Sequence, residues 1–306
     1  MPPNEAEVSS AGHLLGQLVG DWWEKFVIKP LLEEVAKRLG LFCDCRFVDR
    51  SCRGEKVQWT DIDGNVVDYD FVLELGGSHT NLGVPVMFLE CFWRRGARHS
   101  KDKARDDTNK LVPMAATYPT ARFLSIAACG EFTEPARDYV KTRGVNVFFV
   151  PKERIVRAFR EQGIRIDYPD TAEEHEKLPI AIAAKKAMTS DRCKKVAHSL
   201  REIVGATAFE AYACTITASL SSMPVEIRIR ESLVSDAQVF ESVEQASIFL
   251  RSPTFTRTGD AHTYTYEITY SDGSEFSRML TNIDGLRELH GQLLSLVKHM
   301  AAVDRI

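Results

Sequence analysis

The sequence predicts an α/β protein in which a mixed sheet flanked by helices is followed by a smaller antiparallel α+β module. Two apolar runs, VVDYDFVLEL and VPVMFLECFW, have the length of covered strands and fall well short of the ~20 residues that a membrane span requires. Around them, helical and strand-like periodicities alternate over the first half of the chain. Beyond a polar, proline-bounded segment, DYPDTAEEHEKLP, the texture changes to short strands with a hairpin signal at Asp272-Gly273. With 306 residues, 44% of them hydrophobic and 27% charged, the chain has a globular composition and a length suited to two domains, expected at 1–169 and 170–306.

From Leu14 to Val27 apolar residues recur at helical spacing, and the pattern resumes from Leu31 to Leu39. This predicts one long amphipathic helix ending at Gly40, kinked where Pro30 removes a backbone donor. LFCDCRFVDR alternates as a strand, and a charged segment with the turn signal Asp63-Gly64 leads to the two apolar strands. SKDKARDDTNKLVPMAATY reads as a helix, ARFLSIAAC as a strand, EPARDYVKTRG as a helix closed by Gly144, VNVFFVP as a strand and KERIVRAFREQG as a helix closed by Gly163. In the second half a helix is expected over about 180–204, strands at AYACTITASL and PVEIRIRES, and a short helix around SVEQASIFL. A hairpin at YTYEITYSDGSEFSRML and a closing helix over about 283–302 complete it.

Charge and cysteine usage narrow the functional classes. Lys+Arg total 39 against 43 Asp+Glu, a net charge of −4. The average hides a basic island: from Arg94 to Lys110 there are seven cations and three acids. Cys43, Cys45 and Cys52 lack a second pair at zinc-ligand spacing, so they read as structural thiols. The N-terminal stretch MPPNEAEVSS is acidic and has neither a basic n-region nor an apolar h-region, which predicts a cytoplasmic protein with no membrane association.

Glu90 is the residue that demands a chemical explanation. It sits inside PVMFLECFW, where an ionised carboxylate requires a partner, a metal or a pKa shift. With a period of two, Asp68, Asp70, Val72 and Glu74 would share one face of the first apolar strand, and Phe88, Glu90 and Phe92 one face of the second. Paired carboxylates of this kind suit a hard cation, Mg²⁺ or Mn²⁺, completed by water and substrate phosphate.

The order helix, strand, strand with an Asp, strand with a Glu, helix, strand resembles the PD-(D/E)xK nucleases, a superfamily that includes many restriction and DNA-repair enzymes. The resemblance runs over about 12–150 and implies a restriction-endonuclease-like fold and Mg²⁺- or Mn²⁺-dependent cleavage of double-stranded DNA. It assigns Asp70 and Glu90 to the metal and matches Glu24, in GDWWEKF, to the acid on the family's first helix. The family's lysine, two residues beyond the second acid, is here Phe92. Arg94 shares that strand face, but four residues at about 3.3 Å each place its backbone about 13 Å from Glu90. Lys103, on a helix expected to pack back over the sheet, is the better substitute. Arg94, Arg95, Arg98 and Lys101 then bind phosphates.

Each of these residues also has a structural explanation. Glu90 would be satisfied by an ion pair with Arg94 or with a cation of the basic helix, and basic runs are commonly solvated helix faces. Three functions follow: a metal-dependent endonuclease of the restriction or phage-defence type, a nuclease fold that has lost catalysis and binds nucleic acid, or an assembly component. In the first, the C-terminal module would contribute DNA contacts or dimerisation; in the third, the antiparallel module would be the working part.

Overall fold

A computed structural model describes residues 10–231, 236–252, 255 and 263–303. Most of the acidic N-terminal stretch, residues 1–9, lies outside the described residues. Helix α1 (Ala11–Trp22) starts with Ser10 accepting a bond from the His13 amide, then widens into a π-helical segment, Trp23–Ile28, and continues as α2 (Lys29–Leu39). The irregularity expected at Pro30 therefore takes the form of a π stretch just ahead of it. Pro30 cannot donate to the Phe26 carbonyl, and the widened turns precede that missing bond. Trp22 and Trp23, adjacent in sequence, are both buried. Each indole N–H donates to a backbone carbonyl, Trp22 to Cys193 at 3.0 Å and Trp23 to Ala127 at 2.9 Å, as buried indoles require.

The main sheet has five strands in the order β1 (Phe42–Cys45), β4 (Phe71–Leu75), β5 (Val84–Arg94), β6 (Phe123–Gly130), β7 (Asn146–Pro151). β1, β4 and β5 form an antiparallel run, whereas β6 and β7 are parallel, so the sheet is mixed as expected. Helices α3 (Ser100–Thr117), α4 (Glu134–Thr142) and α5 (Lys152–Glu161) follow β5, β6 and β7, and helices flank the sheet.

One expectation is overturned here. VVDYDFVLEL is two strands: β3 (Val66–Tyr69) pairs with β2 (Val57–Thr60) in a separate hairpin, and β4 begins at Phe71. Asp70 is the bend between them. The period-two pattern runs through the break without interruption, yet the two halves belong to different sheets, so the shared face expected for Asp68, Asp70 and Glu74 does not exist.

A second correction concerns AYACTITASL. It lies within a helix, α8 (Ala206–Leu220), preceded by α6 (Glu174–Ala187) and α7 (Ser190–Val204). Its Thr, Ile and Tyr content suggested a strand, but the buried residues Phe209, Tyr212, Ala213, Ile216 and Leu220 fall at helical spacing, and that spacing prevails. The helix expected over 180–204 is accordingly two helices, with a break at Met188-Thr189.

The chain forms two compact units. One comprises Met1–Leu32, Glu90–Asp107 and Ser125–Ala213, the other Glu33–Leu89, Thr108–Leu124 and Cys214–Ile306. Within the first, Phe148 of β7 lies between the Trp23 ring and the rings of Phe209 and Tyr212. Tyr212 and Ser125 share a buried hydroxyl contact of 2.6 Å.

The second unit holds the antiparallel module. Its four-stranded sheet has the order β11 (Glu275–Leu280), β10 (Tyr264–Tyr270), β8 (Pro224–Glu231), β9 (Gln238–Phe240). Helices α9 (Val243–Leu250) and α10 (Ile283–Val303) complete its core. The β10–β11 turn is at Asp272-Gly273, where Gly273 adopts φ +80°. In the core, His290 bridges the Tyr266 hydroxyl and the Ser247 hydroxyl, both at 2.7 Å. Burial pushes its pKa down to about 4. Between pH 6.5 and 4 the unfolded chain takes up a proton that folded His290 refuses. The contribution of neutral His290 is thus complete above about pH 6.5 and is lost as the pH falls towards 4, about 3 kcal/mol in all. Urea unfolding at pH 7 and pH 4.5 should show this loss in the wild type and most of it abolished in His290→Phe. An equal loss in both proteins would assign the acid sensitivity elsewhere.

Candidate active site

In the first unit the site is built on β5. Glu90 is 3% exposed, and Phe92, two residues on, shares its strand face. Phe92 packs edge-to-face on Phe132, with ring centroids 5.0 Å apart. The strand's end is held where Glu131 donates to the Arg94 carbonyl at 2.6 Å. Gly130, at φ +99°, makes that approach possible, because a Cβ there would meet the Arg94 carbonyl. The chain then turns through Ala97–His99 into α3, whose first residue, Ser100, is buried and donates to the Glu131 carbonyl at 3.1 Å.

This start of α3 presents Lys103 to the strand face. The Lys103 ammonium lies 5.8 Å from the centre of the Phe92 ring and donates to Asp107 at 2.6 Å. The Asp107 carboxylate is fully buried, and the Lys103 side chain is 22% exposed. The lysine expected to stand in for Phe92 therefore lies beside it, held by an acid one helical turn further on. Glu24 is half-buried within the π-helical segment. Burial raises the Cys129 thiol pKa well above its usual value, and the Glu24 charge adds to the rise.

The basic island divides into different roles. Arg94, Arg98 and Lys101 are exposed. Arg95 is engaged within the protein: its guanidinium lies over the Tyr168 ring at 3.9 Å, bonds the Tyr168 carbonyl, and pairs with Asp170 at 2.7 Å and Asp167 at 3.6 Å. Its hydrogen bond and charge lower the Asp170 pKa.

In the second unit Asp70 is half-buried at the β3–β4 bend and lines a cavity of about 930 Å³ with Arg46, Arg50, Arg53, Lys56 and His79. Asp68, the other acid of that pattern, pairs with Lys56 at 2.5 Å and accepts from Gln58 at 2.7 Å, and these bonds lower its pKa.

Behind the cavity is a network that the sequence pattern did not disclose. Arg50 bonds Glu74 through both terminal nitrogens, at 2.5 and 3.1 Å, and Asp44 at 2.6 Å, with all three side chains fully buried. It also donates to the carbonyls of Ser78 and Asn81, and Arg53 adds a two-point contact to Asp44 at 2.7 and 2.9 Å. Burial opposes the Arg50 charge, but the bonds and charges of Glu74 and Asp44 outweigh it and raise its pKa above the usual arginine value. Asp44 carried the same signal as Glu90, a charge inside an apolar alternation. Its partners lie in a loop whose return the period does not report.

Among the described residues no group of three or more His, Cys, Asp or Glu side chains is placed to hold a metal ion, so Glu24 does not complete a three-acid cage. No single helix among them is long and apolar enough to cross a membrane. Comparison of the chain with protein-family models, curated proteins and solved structures gives no match.

Proposed function

We propose that this chain is a metal-dependent nuclease of the PD-(D/E)xK type acting on double-stranded DNA, with its motif lysine moved from the strand to α3. The observation that carries the reading is the Lys103 ammonium 5.8 Å from the Phe92 ring, on the strand face that also bears the buried Glu90. The order of helices and strands around the mixed sheet supports it.

The acids fit Mg²⁺ or Mn²⁺ better than a metal that needs a full protein cage. Glu90 is a buried carboxylate in an apolar strand, and Mg²⁺ is commonly bound by one or two carboxylates with water and phosphate oxygens completing its shell. In this reading Glu90 is a ligand of the ion within its own unit, and the resemblance implies the same role for Asp70. A bound divalent cation supplies Lewis acidity, which activates water and offsets charge on the scissile phosphate. Lys103 orients the attacking water and stabilises charge on the phosphate, while Asp107 holds the ammonium in place. Arg94, Arg98 and Lys101 bind flanking phosphates without reading sequence.

The reading predicts nicking or linearisation of plasmid DNA in Mg²⁺ or Mn²⁺, none in a chelator, and a loss of at least about a hundredfold in Asp70→Asn. A second reading has its own observation: Phe92 is 6% exposed and packed where the family has a lysine, as in a nuclease fold that binds DNA without cutting it. Duplex binding without cleavage in either metal would select that reading.

A further inference from the structure

We propose that the exposed corner formed by the end of α6 and the start of α7 binds the phosphate backbone of duplex DNA. The inference rests on the nuclease reading for its partner and uses none of that reading's site residues. From Lys185 to Arg201 there are six Lys/Arg residues and one acid, Asp191. This stretch is more positive than the Arg94–Lys110 island, in a chain of net charge −4.

The run falls where one helix gives way to the next. α6 ends at Ala187 and α7 begins at Ser190, so Lys185 and Lys186 in the last turn of one helix stand close in sequence to Lys194 and Lys195 near the start of the next. All four lysines are exposed, while Cys193, Val196, Ser199 and Leu200 form the buried side of α7. Lys194 and Arg201 stand at i and i+7, extending the positive face over about 10 Å of helix. Among the described residues none of the four lysines has an ion-pair partner, whereas His198 faces Glu202 at 3.4 Å and Arg192 is bonded to the Gln162 carbonyl.

Clustered cations without counter-charges repel one another, and a polyanion relieves that repulsion. Duplex DNA offers one negative charge per about 1.7 Å of axis, so several phosphates face a 10 Å helix surface. An anionic bilayer is the competing partner. A helix that docks on a bilayer inserts apolar side chains along its length; α7 exposes no large apolar residue, and on α6 Ile182, one turn before Lys186, is exposed.

The test is anisotropy of a labelled duplex titrated with the full chain in chelator, across a salt series. The wild type is compared with a variant carrying Lys185→Ala, Lys186→Ala, Lys194→Ala and Lys195→Ala. The inference predicts at least about tenfold weaker binding and a flatter log–log salt dependence, by about 0.9 for each phosphate that is no longer neutralised. Unchanged affinity and slope would overturn it, as would absence of duplex binding by the wild type, or binding to phosphatidylserine vesicles in place of duplex. Chelator removes cleavage from the measurement, so the nuclease reading stands or falls separately, on metal-dependent cutting.

Discussion

Arg50→Ala is expected to lose about 3–5 kcal/mol of stability and about 10 °C of melting temperature. The substitution removes the guanidinium shared by two fully buried carboxylates: Asp44 keeps its two bonds from Arg53, but Glu74 loses its arginine. An uncompensated buried charge costs more than the intact pair contributes, because desolvation has already been incurred in the fold. The loss should propagate to the loops that Arg50 holds by the carbonyls of Ser78 and Asn81. Arg50→Met with Glu74→Leu, which removes the charge and one acid together, should recover part of it. Chemical denaturation checks both. An Arg50→Ala midpoint within about 1 kcal/mol of wild type would show that the network contributes little, as exposed pairs commonly do.

The second large effect is on chemistry. Lys103→Met should lower the single-turnover cleavage rate by about a hundredfold or more while leaving duplex affinity within about twofold. Methionine keeps much of the apolar stem against Phe92 and removes the ammonium. A group that acts mainly on the transition state moves the rate and spares ground-state binding. Asp107→Asn, which releases the ammonium from its 2.6 Å partner, should lower the rate by less than Lys103→Met does and leave duplex affinity unchanged if its role is to position Lys103. Equal losses of rate and affinity in Lys103→Met would make Lys103 a binding residue instead.

How far the sequence could be read is set by the range of its signals. Glu90 was legible because a charge inside an apolar strand is costly wherever the strand lies, and the structure buries it. The mixed sheet, the Asp272-Gly273 hairpin and the closing helix were legible from local period and turn chemistry. The break at Asp70 was not, because strand periodicity continues unchanged from one sheet into another. α8 was misread because residue preference favoured a strand while burial followed helical spacing. Arg95 illustrates the limit: its partners Tyr168, Asp167 and Asp170 lie more than 70 residues away, and no local pattern announces them. The position of Lys103 beside Phe92 was reachable only through the family resemblance, in which the helix after this strand packs back over the sheet.

The most direct test of the central claim is single-turnover cleavage of one long linear duplex in Mg²⁺, comparing wild type with Glu90→Gln at matched, saturating protein. Glutamine preserves the shape and removes the charge that would hold the cation. The account predicts metal-dependent cutting by the wild type, a loss of at least about a hundredfold in Glu90→Gln, and duplex binding retained by both. Cleavage by Glu90→Gln at the wild-type rate would contradict it.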